Sequence, residues 1–425
     1  MRDLEFQATD WPDITLGEVC TFRGGNGFKE SHQGQSNGDH PFIKVSDLTL
    51  KGNEKYITTA QNWVCEDVLR ELRATLQPVG AVVFAKVGAA LKLNRRRILT
   101  RPTAIDNNMM AAIPDTGQLD GDFLYYFLLV QDLGKFSQES AVPSVNQGHL
   151  SAIEISLPPL PEQRKIAAIL RTWDEALEKL NALRAAKAKR HVGLTHSLVF
   201  GGMQLEEFRG SNEATSYRWF QLPVVWGCKP IGDLAVEISE RNTDGDALDV
   251  LSCSKHDGFV RSLEYFKKQV FSADLTGYKK ISRGDFGFPS NHVEEGSIGL
   301  QNLTEIGVVS PIYTVFRFDP SKVLGEYAFA VLKTEIYRHI FEVSTSASVD
   351  RRGSLRWKEF ARLPFPVPPL AEQEAIAEVL HTSKSEIDAL DAEIEATSRQ
   401  KRGLMQKLLT GEWRVEVSDD EEAAA

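Results

Sequence analysis

The sequence is poor in the features that mark secreted, membrane and metal-binding proteins. Its four cysteines, Cys20, Cys65, Cys228 and Cys253, are widely separated and form no Cys-x-x-Cys pair. This spacing argues against a zinc site and a disulfide framework, and fits a reducing cytoplasm. No stretch approaches the roughly 18 consecutive apolar residues of a membrane-spanning helix. The first residues also lack the basic and apolar segments of a secretory signal, so we expect a cytoplasmic protein.

Sequence motifs for catalysis are missing as well. There is no GxxxxGK[ST] phosphate loop, which argues against ATP use by this chain. An amino-methyltransferase needs an Asn/Asp-Pro-Pro-Tyr/Phe loop for the target amine, whereas both Pro-Pro pairs here are followed by leucine. No carboxylate–lysine nuclease cluster and no histidine or cysteine spacing of a metal site is recognisable. We therefore expect no catalytic residue, metal or bound cofactor in this chain.

The charge is negative overall but unevenly distributed. The net charge is −10, and residues 365–425 alone carry −8, with an acidic run, DDEE, near the end. Residues 156–204 carry +4, whereas residues 1–155 and 205–364 carry −4 and −2. An acidic end of this kind is typical of a solvated tail. Any nucleic-acid binding would therefore depend on local basic patches and not on the overall field.

A long internal repeat organises the chain. Residues 157–202 and 367–412 align without a gap at a constant offset of 210, beginning LPPLPEQRKIAAIL and VPPLAEQEAIAEVL. A repeat of this length indicates a duplicated architecture. We call its opening the helix-start motif, which comprises Pro158, Pro159, Glu162 and Gln163 in the first copy and Pro368, Pro369, Glu372 and Gln373 in the second.

Each copy of the repeat predicts one long helix. The Pro-Pro pair imposes extended backbone before the helix, and Gly201 and Gly411 are suited to end it. About 40 residues at 1.5 Å each give a rod of roughly 60 Å. Apolar residues recur in steps of four and three, as in a coiled coil, and the opposite charges of the copies suggest that they pair. The alternative to a coiled coil is ordinary packing of each apolar helix face. In a coiled coil, the polar residues of the seam would fix the register of the two helices: Lys187, His191, Ser383 and Lys401.

The segments before the helices resemble each other more faintly. Trp11 to Gly17 aligns with Trp226 to Gly232 at an offset of 215, and β-rich sequence and a short helical pattern follow in each copy. We therefore predict an α+β fold with two mixed α/β domains and two long helices, which pair with each other as a coiled coil about a pseudo-twofold axis. The predicted boundaries are 1–156 (domain 1), 157–202 (helix 1), 203–225 (linker), 226–366 (domain 2), 367–412 (helix 2) and 413–425 (acidic tail).

The duplicated Pro-Pro-Leu-x-Glu-Gln motif, with this order of domains, resembles type I restriction-modification specificity subunits over essentially the whole chain. The resemblance implies a non-catalytic subunit in which two target-recognition domains each read half of a bipartite double-stranded DNA sequence. It also implies that the two helices form an antiparallel coiled coil whose length sets the spacer between the half-sites. Two methyltransferase subunits would dock on this chain, and restriction and translocation subunits would join them. In that family the partner subunits use S-adenosylmethionine for adenine-N6 methylation, and ATP and Mg for translocation and cleavage.

Candidate DNA contacts are basic and amide side chains near the strand ends and before the helices, because lysine and arginine bind phosphates and asparagine and glutamine bind base edges. Domain 1 offers the first set: Lys86, Lys92, Arg95, Arg96, Arg97, Ser144, Asn146 and Gln147. The alternatives to DNA contact are a solvated strand edge for the basic residues and a turn cap for the amide residues. Domain 2 offers a second set: Lys279, Lys280, Arg283, Asn291, His292, Arg351, Arg352 and Arg356.

Two other functions remain open from the sequence. The net negative charge of the chain is compatible with a coiled-coil scaffold that organises protein partners without reading DNA. A self-sufficient restriction or modification enzyme is the third possibility, and the missing catalytic motifs count against it.

Overall fold

The computed structural model of the protein describes residues 10–136, 143–210, 213–255, 257–345 and 354–417. The contacts divide the chain into two compact units. The first unit consists of Met1–Asn181 and Ala392–Ala425, and the second of Ala182–Asp391. Each unit therefore combines one mixed α/β domain with the beginning of one long helix and the end of the other.

The α/β domain of the first unit consists of short strands and helices. Its strands are β1 (Asp13–Thr15), β2 (Cys20–Gly24), β3 (His40–Ile43), β4 (Tyr56–Ile57), β5 (Trp63–Val64), β6 (Val82–Ala85), β7 (Arg96–Leu99), β8 (Ala104–Ile105), β9 (Met109–Pro114) and β10 (Glu154–Ser156). Its helices are α1 (Leu16–Val19), α2 (Glu66–Leu72), α3 (Ala89–Lys92), α4 (Gly121–Val130) and α5 (Gln147–Ser151).

A five-stranded sheet of order β2-β9-β6-β7-β4 forms the centre of this domain. All four residues of β6 are buried, because this strand lies inside the sheet and is covered on both faces. The apolar helix α4 packs onto the sheet, and a second sheet has the order β5-β3-β8. Strand β1 pairs with β10, with Asp13 opposite Ser156, and so closes the domain just before the long helix.

Helix α6 (Leu160–Val199) leads into the α/β domain of the second unit. The strands of that domain are β11 (Ala214–Ser216), β12 (Gln221–Pro223), β13 (Gly227–Pro230), β14 (Ala235–Ile238), β15 (Leu251–Ser254), β16 (Gly258–Arg261), β17 (Lys279–Ser282), β18 (Phe286–Pro289), β19 (Gly299–Leu300), β20 (Ile306–Val309), β21 (Tyr313–Phe318) and β22 (Pro364–Val367). Its helices are α7 (Ser262–Phe266), α8 (Gly325–Leu332), α9 (Glu335–Ser344) and α10 (Trp357–Phe360), followed by the long helix α11 (Leu370–Leu409).

The second unit repeats the strand pairings of the first. In its sheet of order β14-β21-β18-β19, Phe316 is opposite both Glu237 and Phe286. In the first unit, Ala112 of β9 is opposite both Phe22 and Val82. The closing pair β13–β22 corresponds to β1–β10. The duplication seen in the sequence therefore extends to the central strand pairings, although the sheets differ in their other strands and the second unit fills its core with many more aromatic rings.

The stretch predicted as a linker is partly folded. Residues 214–216 and 221–223 form the hairpin β11–β12, in which Ala214 is opposite Pro223. Phe220 and Leu222 are buried in the core of the second unit. The segment predicted as the linker therefore contains folded structure, because its apolar side chains outweigh its polar and glycine content.

The long helices form as predicted and pack against each other within each unit. Gly201 and Gly411 follow their last turns with φ of 66° and 73°, a conformation that favours glycine. In the first unit, α6 begins against the end of α11, and Ile166 and Leu170 share a core with Leu408. In the second unit, the end of α6 packs against the beginning of α11. The predicted fold class is confirmed.

Candidate nucleic-acid interface

The helix-start motif attaches each long helix to its own α/β domain. In the first unit the Gln163 side chain is fully buried. Its Oε1 accepts a hydrogen bond from the backbone N–H of Asp120 at 2.8 Å, and its Nε2 donates to the carbonyls of Gln118 (2.9 Å) and Pro158 (2.8 Å). These three bonds satisfy a buried amide and fix the angle at which the helix leaves the domain.

The second unit repeats this arrangement atom for atom. Gln373 Oε1 accepts from the N–H of Leu324 at 2.9 Å, and its Nε2 donates to the carbonyls of Lys322 (3.0 Å) and Pro368 (2.9 Å). A glutamine is suited to this position because its amide supplies one acceptor and two donor hydrogens. The motif thus has a structural role in both units.

The neighbouring glutamates differ between the units. Trp11 Nε1 donates to Glu162 at 3.1 Å, and Trp226 Nε1 donates to Glu372 at 2.9 Å. Glu162 also accepts two hydrogen bonds from the Arg414 guanidinium, at 2.8 and 2.9 Å, and this carboxylate raises the pKa of Arg414. Burial raises the pKa of Glu372, and the hydrogen bond from Trp226 offsets part of this shift.

Contacts between the two long helices run antiparallel in each unit. In the second unit, Arg184 pairs with Asp391 at 2.9 Å and Lys187 with Glu386 at 2.8 Å. There, His191 Nδ1 also lies 3.1 Å from the Ser383 hydroxyl. In the first unit, Lys401 forms an ion pair with Asp174. The polar seam residues Lys187, His191, Ser383 and Lys401 therefore contact the opposite helix, as predicted for residues that fix its register.

Two groups of candidate residues come together at the end of β6 in the first unit. The N–H of Val145 donates to the carbonyl of Lys86 at 3.0 Å, and residues 87 and 144 form a β-bridge. This places Ser144, Asn146 and Gln147 beside Lys86. We call these four residues the first strand-end surface. Asn146 also caps α5, since its side chain accepts from the N–H of His149 at 2.9 Å, so the turn-cap alternative is correct for its Oδ1.

The second unit has the same junction at the end of β18. The N–H of Leu355 donates to the carbonyl of Ser290 at 2.8 Å. Arg356 is exposed and immediately precedes α10, as Asn146 precedes α5. We call the corresponding group the second strand-end surface: Ser290, Asn291, His292 and Arg356. Because both units bring a strand end and a helix start together, the junction is part of the repeat.

The structure corrects the prediction for part of the RRR run. Arg96 is fully buried on β7, where its guanidinium lies over the Phe84 ring, and burial lowers its pKa to about 10. Arg97 is half-buried and donates to the carbonyls of Arg96 (2.6 Å) and Leu48 (2.8 Å). Strand alternation turns Arg96 toward the core, and internal carbonyl acceptors hold the guanidinium of Arg97. Lys92 and Arg95 are exposed and remain candidates.

The other basic candidates of the second unit have internal partners. Lys279 donates to the carbonyl of Tyr313 at 2.5 Å, and burial lowers its pKa. Lys280 pairs with Glu240 at 3.3 Å, and Arg283 pairs with Glu305 at 2.8 Å. These pairs are partly or largely exposed, so they do not prevent exchange for a phosphate partner. Arg351 and Arg352 lie outside the described residues.

One exposed basic residue of the first unit was not among the candidates. Arg23 is exposed on β2. The alternation Cys20 buried, Thr21 exposed, Phe22 buried, Arg23 exposed is visible in the sequence and identifies Arg23 as outward-facing.

The acidic neighbours of the second strand-end surface are also close. His292 Nδ1 lies 3.3 Å from Glu295, and oxygen and nitrogen atoms of His292, Glu294 and Glu295 lie within 4.8 Å of one another. These exposed or half-buried groups make the surface less basic than Arg356 alone would suggest. Among the described residues, no helix combines the length and the apolar character needed to cross a lipid bilayer.

Comparisons with known proteins agree on one family. A family profile described as "Type I restriction modification DNA specificity domain" matches residues 8–187. The type I restriction enzyme MjaVIII specificity subunit of Methanocaldococcus jannaschii is 24% identical over 315 residues, which cover 70% of this chain and 71% of that protein.

Solved structures of specificity subunits share the fold. The HsdS subunit from Thermoanaerobacter tengcongensis has a TM-score of 0.52 and 16% identity, with 97% of this chain and 100% of that chain covered. The type I restriction-modification S subunit from M. genitalium has a TM-score of 0.52 and 13% identity, with coverage of 94% and 96%. The chain is therefore similar to type I restriction-modification specificity subunits, and residues 8–187 carry the match to the family profile. Subunits of that family are non-catalytic, and the catalytic activity lies in partner subunits.

Proposed function

We propose that each unit reads one half of a bipartite double-stranded DNA target through its strand-end surface. The observation that carries this proposal is the repetition of the junction: a strand end, a helix start and exposed polar side chains recur beside both copies of the helix-start motif. Lys86 would contact phosphate, and Asn146, Gln147, Asn291 and Arg356 have the chemistry to contact base edges.

The helix pair is the proposed docking platform for the methyltransferase subunits, two per chain because the surface is duplicated. Restriction and translocation subunits would join the same assembly. S-adenosylmethionine, ATP and Mg would be bound by those partners, where methylation, translocation and cleavage occur. The proposed role of this chain is to position them on DNA.

The proposal is tested with the chain purified together with its methyltransferase partner. Binding to a duplex target is measured for Lys86→Ala and Arg356→Ala, using substrates in which one half-site at a time is scrambled. Lys86→Ala should weaken all binding and make the salt dependence shallower by about one phosphate contact. Arg356→Ala should reduce discrimination at one half-site by roughly 5- to 150-fold, the equivalent of about 1–3 kcal/mol, and leave the other half-site unchanged.

Arg70→Ala is the matched control, because Arg70 is an exposed arginine on α2 outside both surfaces. If Arg356→Ala and Arg70→Ala behave alike at both half-sites, the second strand-end surface does not read DNA. If the wild-type complex shows no sequence preference, the alternative of a coiled-coil scaffold without DNA readout gains support.

A further inference from the structure

The second unit carries an exposed apolar segment next to two lysines. Helix α7 and the turn after it leave Leu263, Tyr265, Phe266 and Val270 exposed by 56%, 50%, 42% and 48%. Lys267 and Lys268 are exposed between them. We call residues 263–270 the aromatic–lysine segment. Grouped exposed apolar side chains on a soluble domain mark an interaction site more often than scattered single ones.

The two aromatic rings and the two lysines are neighbours in the chain. The rings of Tyr265 and Phe266 lie edge to face with centroids 5.0 Å apart. Lys267 ends α7 with φ of 52°, so the chain turns there and the lysines follow directly after the rings. Among the residues that the structure describes, neither Lys267 nor Lys268 has a carboxylate within ion-pair distance.

Charge favours a nucleic acid as the occupant. Lysine and glutamate are depleted in the cores of protein–protein interfaces, whereas a phosphate backbone needs unpaired cations. The neighbouring Arg261 pairs with Asp249 at 3.3 Å and with Glu264, the one carboxylate of the segment, at 4.0 Å. The two lysines therefore supply the net positive charge of this region. The same loop continues to Lys279 and Lys280, which are already candidates for phosphate contacts.

We propose that the aromatic–lysine segment is an additional DNA contact of the second unit. Lys267 and Lys268 bind backbone phosphates, and Tyr265 and Phe266 pack against the sugars and base edges exposed in a groove. This inference rests on the proposed DNA-reading function and assigns that function a surface outside the strand-end surfaces.

The test uses the complex of the chain with its methyltransferase partner and a fluorescent duplex containing its target. In the variant Lys267→Gln/Lys268→Gln, the slope of log affinity against log salt should become shallower by about two. In Tyr265→Ser/Phe266→Ser, affinity should fall about tenfold with the salt slope unchanged. Val224→Ser/Val225→Ser is the matched control, since both valines are exposed in the same unit, by 52% and 63%, and should have no effect.

The outcomes separate the possibilities. Unchanged affinity and salt slope in the lysine variant, with wild-type target preference intact, overturn this inference and leave the proposed function standing. Loss of the methyltransferase from the complex, with DNA binding of the remaining complex unaltered, assigns the segment to a protein partner and overturns it as well. A wild-type complex without target preference would remove the proposed function itself. If Tyr265→Ser/Phe266→Ser fails to fold, the salt slope of Lys267→Gln/Lys268→Gln alone tests whether the segment contacts DNA.

Discussion

The two units begin their long helices in the same way and secure them differently. Gln163 and Gln373 make equivalent sets of three hydrogen bonds to their domains. Beside them, Glu162 is held by both Trp11 and Arg414, whereas Glu372 accepts from Trp226. The repeat therefore preserves the attachment of each helix to its own domain, while the contacts supplied by the end of the other helix diverge.

A second difference lies further along the helices. In the first unit, Asp174 of α6 accepts from the Tyr126 hydroxyl at 2.5 Å, pairs with Lys401 and lies 3.9 Å from Lys55. At the corresponding place in the second unit, His191 meets Ser383. The first α/β domain is thus linked to both helices by a charged network, and the second is held mainly by its large aromatic core.

The largest predicted effect is at Asp174. Asp174→Ala leaves the half-buried Lys401 without its anion, and unpaired charges of this kind are costly. We expect a loss of about 3 kcal/mol in the free energy of unfolding of the first unit. His191 corresponds to Lys401 at the offset of 210 and contacts Ser383 in the second unit, and His191→Ala should cost less than about 1 kcal/mol. Hydrogen exchange resolved by peptide measures the stability of each unit separately. Equal losses of stability in the two variants would show that the charged network does not stabilise the first unit more than the His191–Ser383 contact stabilises the second.

A smaller effect is predicted at Arg414. Its guanidinium is half exposed while Glu162 is buried, so Arg414→Ala should destabilise the first unit by about 1–2 kcal/mol after solvent screening. The residue 210 positions earlier is Gln204, and Gln204→Ala should cost less than about 0.5 kcal/mol. Thermal unfolding of the two variants provides the comparison. A larger loss of stability in Gln204→Ala than in Arg414→Ala would contradict the conclusion that the end of the long helix stabilises the first unit more than the second.

The smallest predicted effect is a pH dependence confined to the second unit. Burial raises the pKa of Glu372 in the folded state, so the folded protein binds this proton more tightly than the unfolded chain does. Stability should therefore fall as the pH rises from about the ordinary value of 4.5 through the folded-state pKa. Glu372→Gln should remove this dependence and retain the hydrogen bond from Trp226.

Glu162→Gln is the matched control for that titration. Glu162→Gln weakens the ion pair with Arg414 and should lower the stability of the first unit at neutral pH. At the same pH, Glu372→Gln should leave the second unit as stable as in the wild-type protein, or more stable. Denaturant unfolding between pH 4.5 and pH 8, with exchange measured in each unit, distinguishes the two. A second unit whose stability rises with pH in the wild-type protein but not in Glu372→Gln would contradict the predicted sign.

Long-range periodicity made most of the fold predictable. The offset of 210 and the seam of apolar residues predicted two long helices that pair with each other, and identified Lys187, His191, Ser383 and Lys401 as seam residues. The antiparallel direction was implied by the family resemblance. Their contacts depend mainly on helix geometry, which is regular. The patterns DFLYYFLL and EYAFAVLK likewise predicted α4 and α8, because continuous apolar sequence of this length needs a buried position.

The candidate surface was less predictable because burial depends on tertiary packing. The run RRR reads as an exposed basic cluster, yet Arg96 faces the core on β7 and Arg23, an isolated arginine, faces outward. The pairing of Val145 with Lys86 joins residues nearly sixty positions apart, which spacing alone does not indicate. The ion pair between Arg414 and Glu162 could not be predicted from the sequence either, because an arginine near an acidic tail is expected to be solvent-exposed.

The most direct test of two reading units is to sequence the modified bases in the DNA of a host expressing this chain with its methyltransferase partner. A protein with one strand-end surface in each unit should produce modified adenines in a target of two short specified segments, separated by an unspecified stretch of fixed length. A single continuous motif, or methylation without any sequence preference, would contradict the assignment of one half-site to each unit.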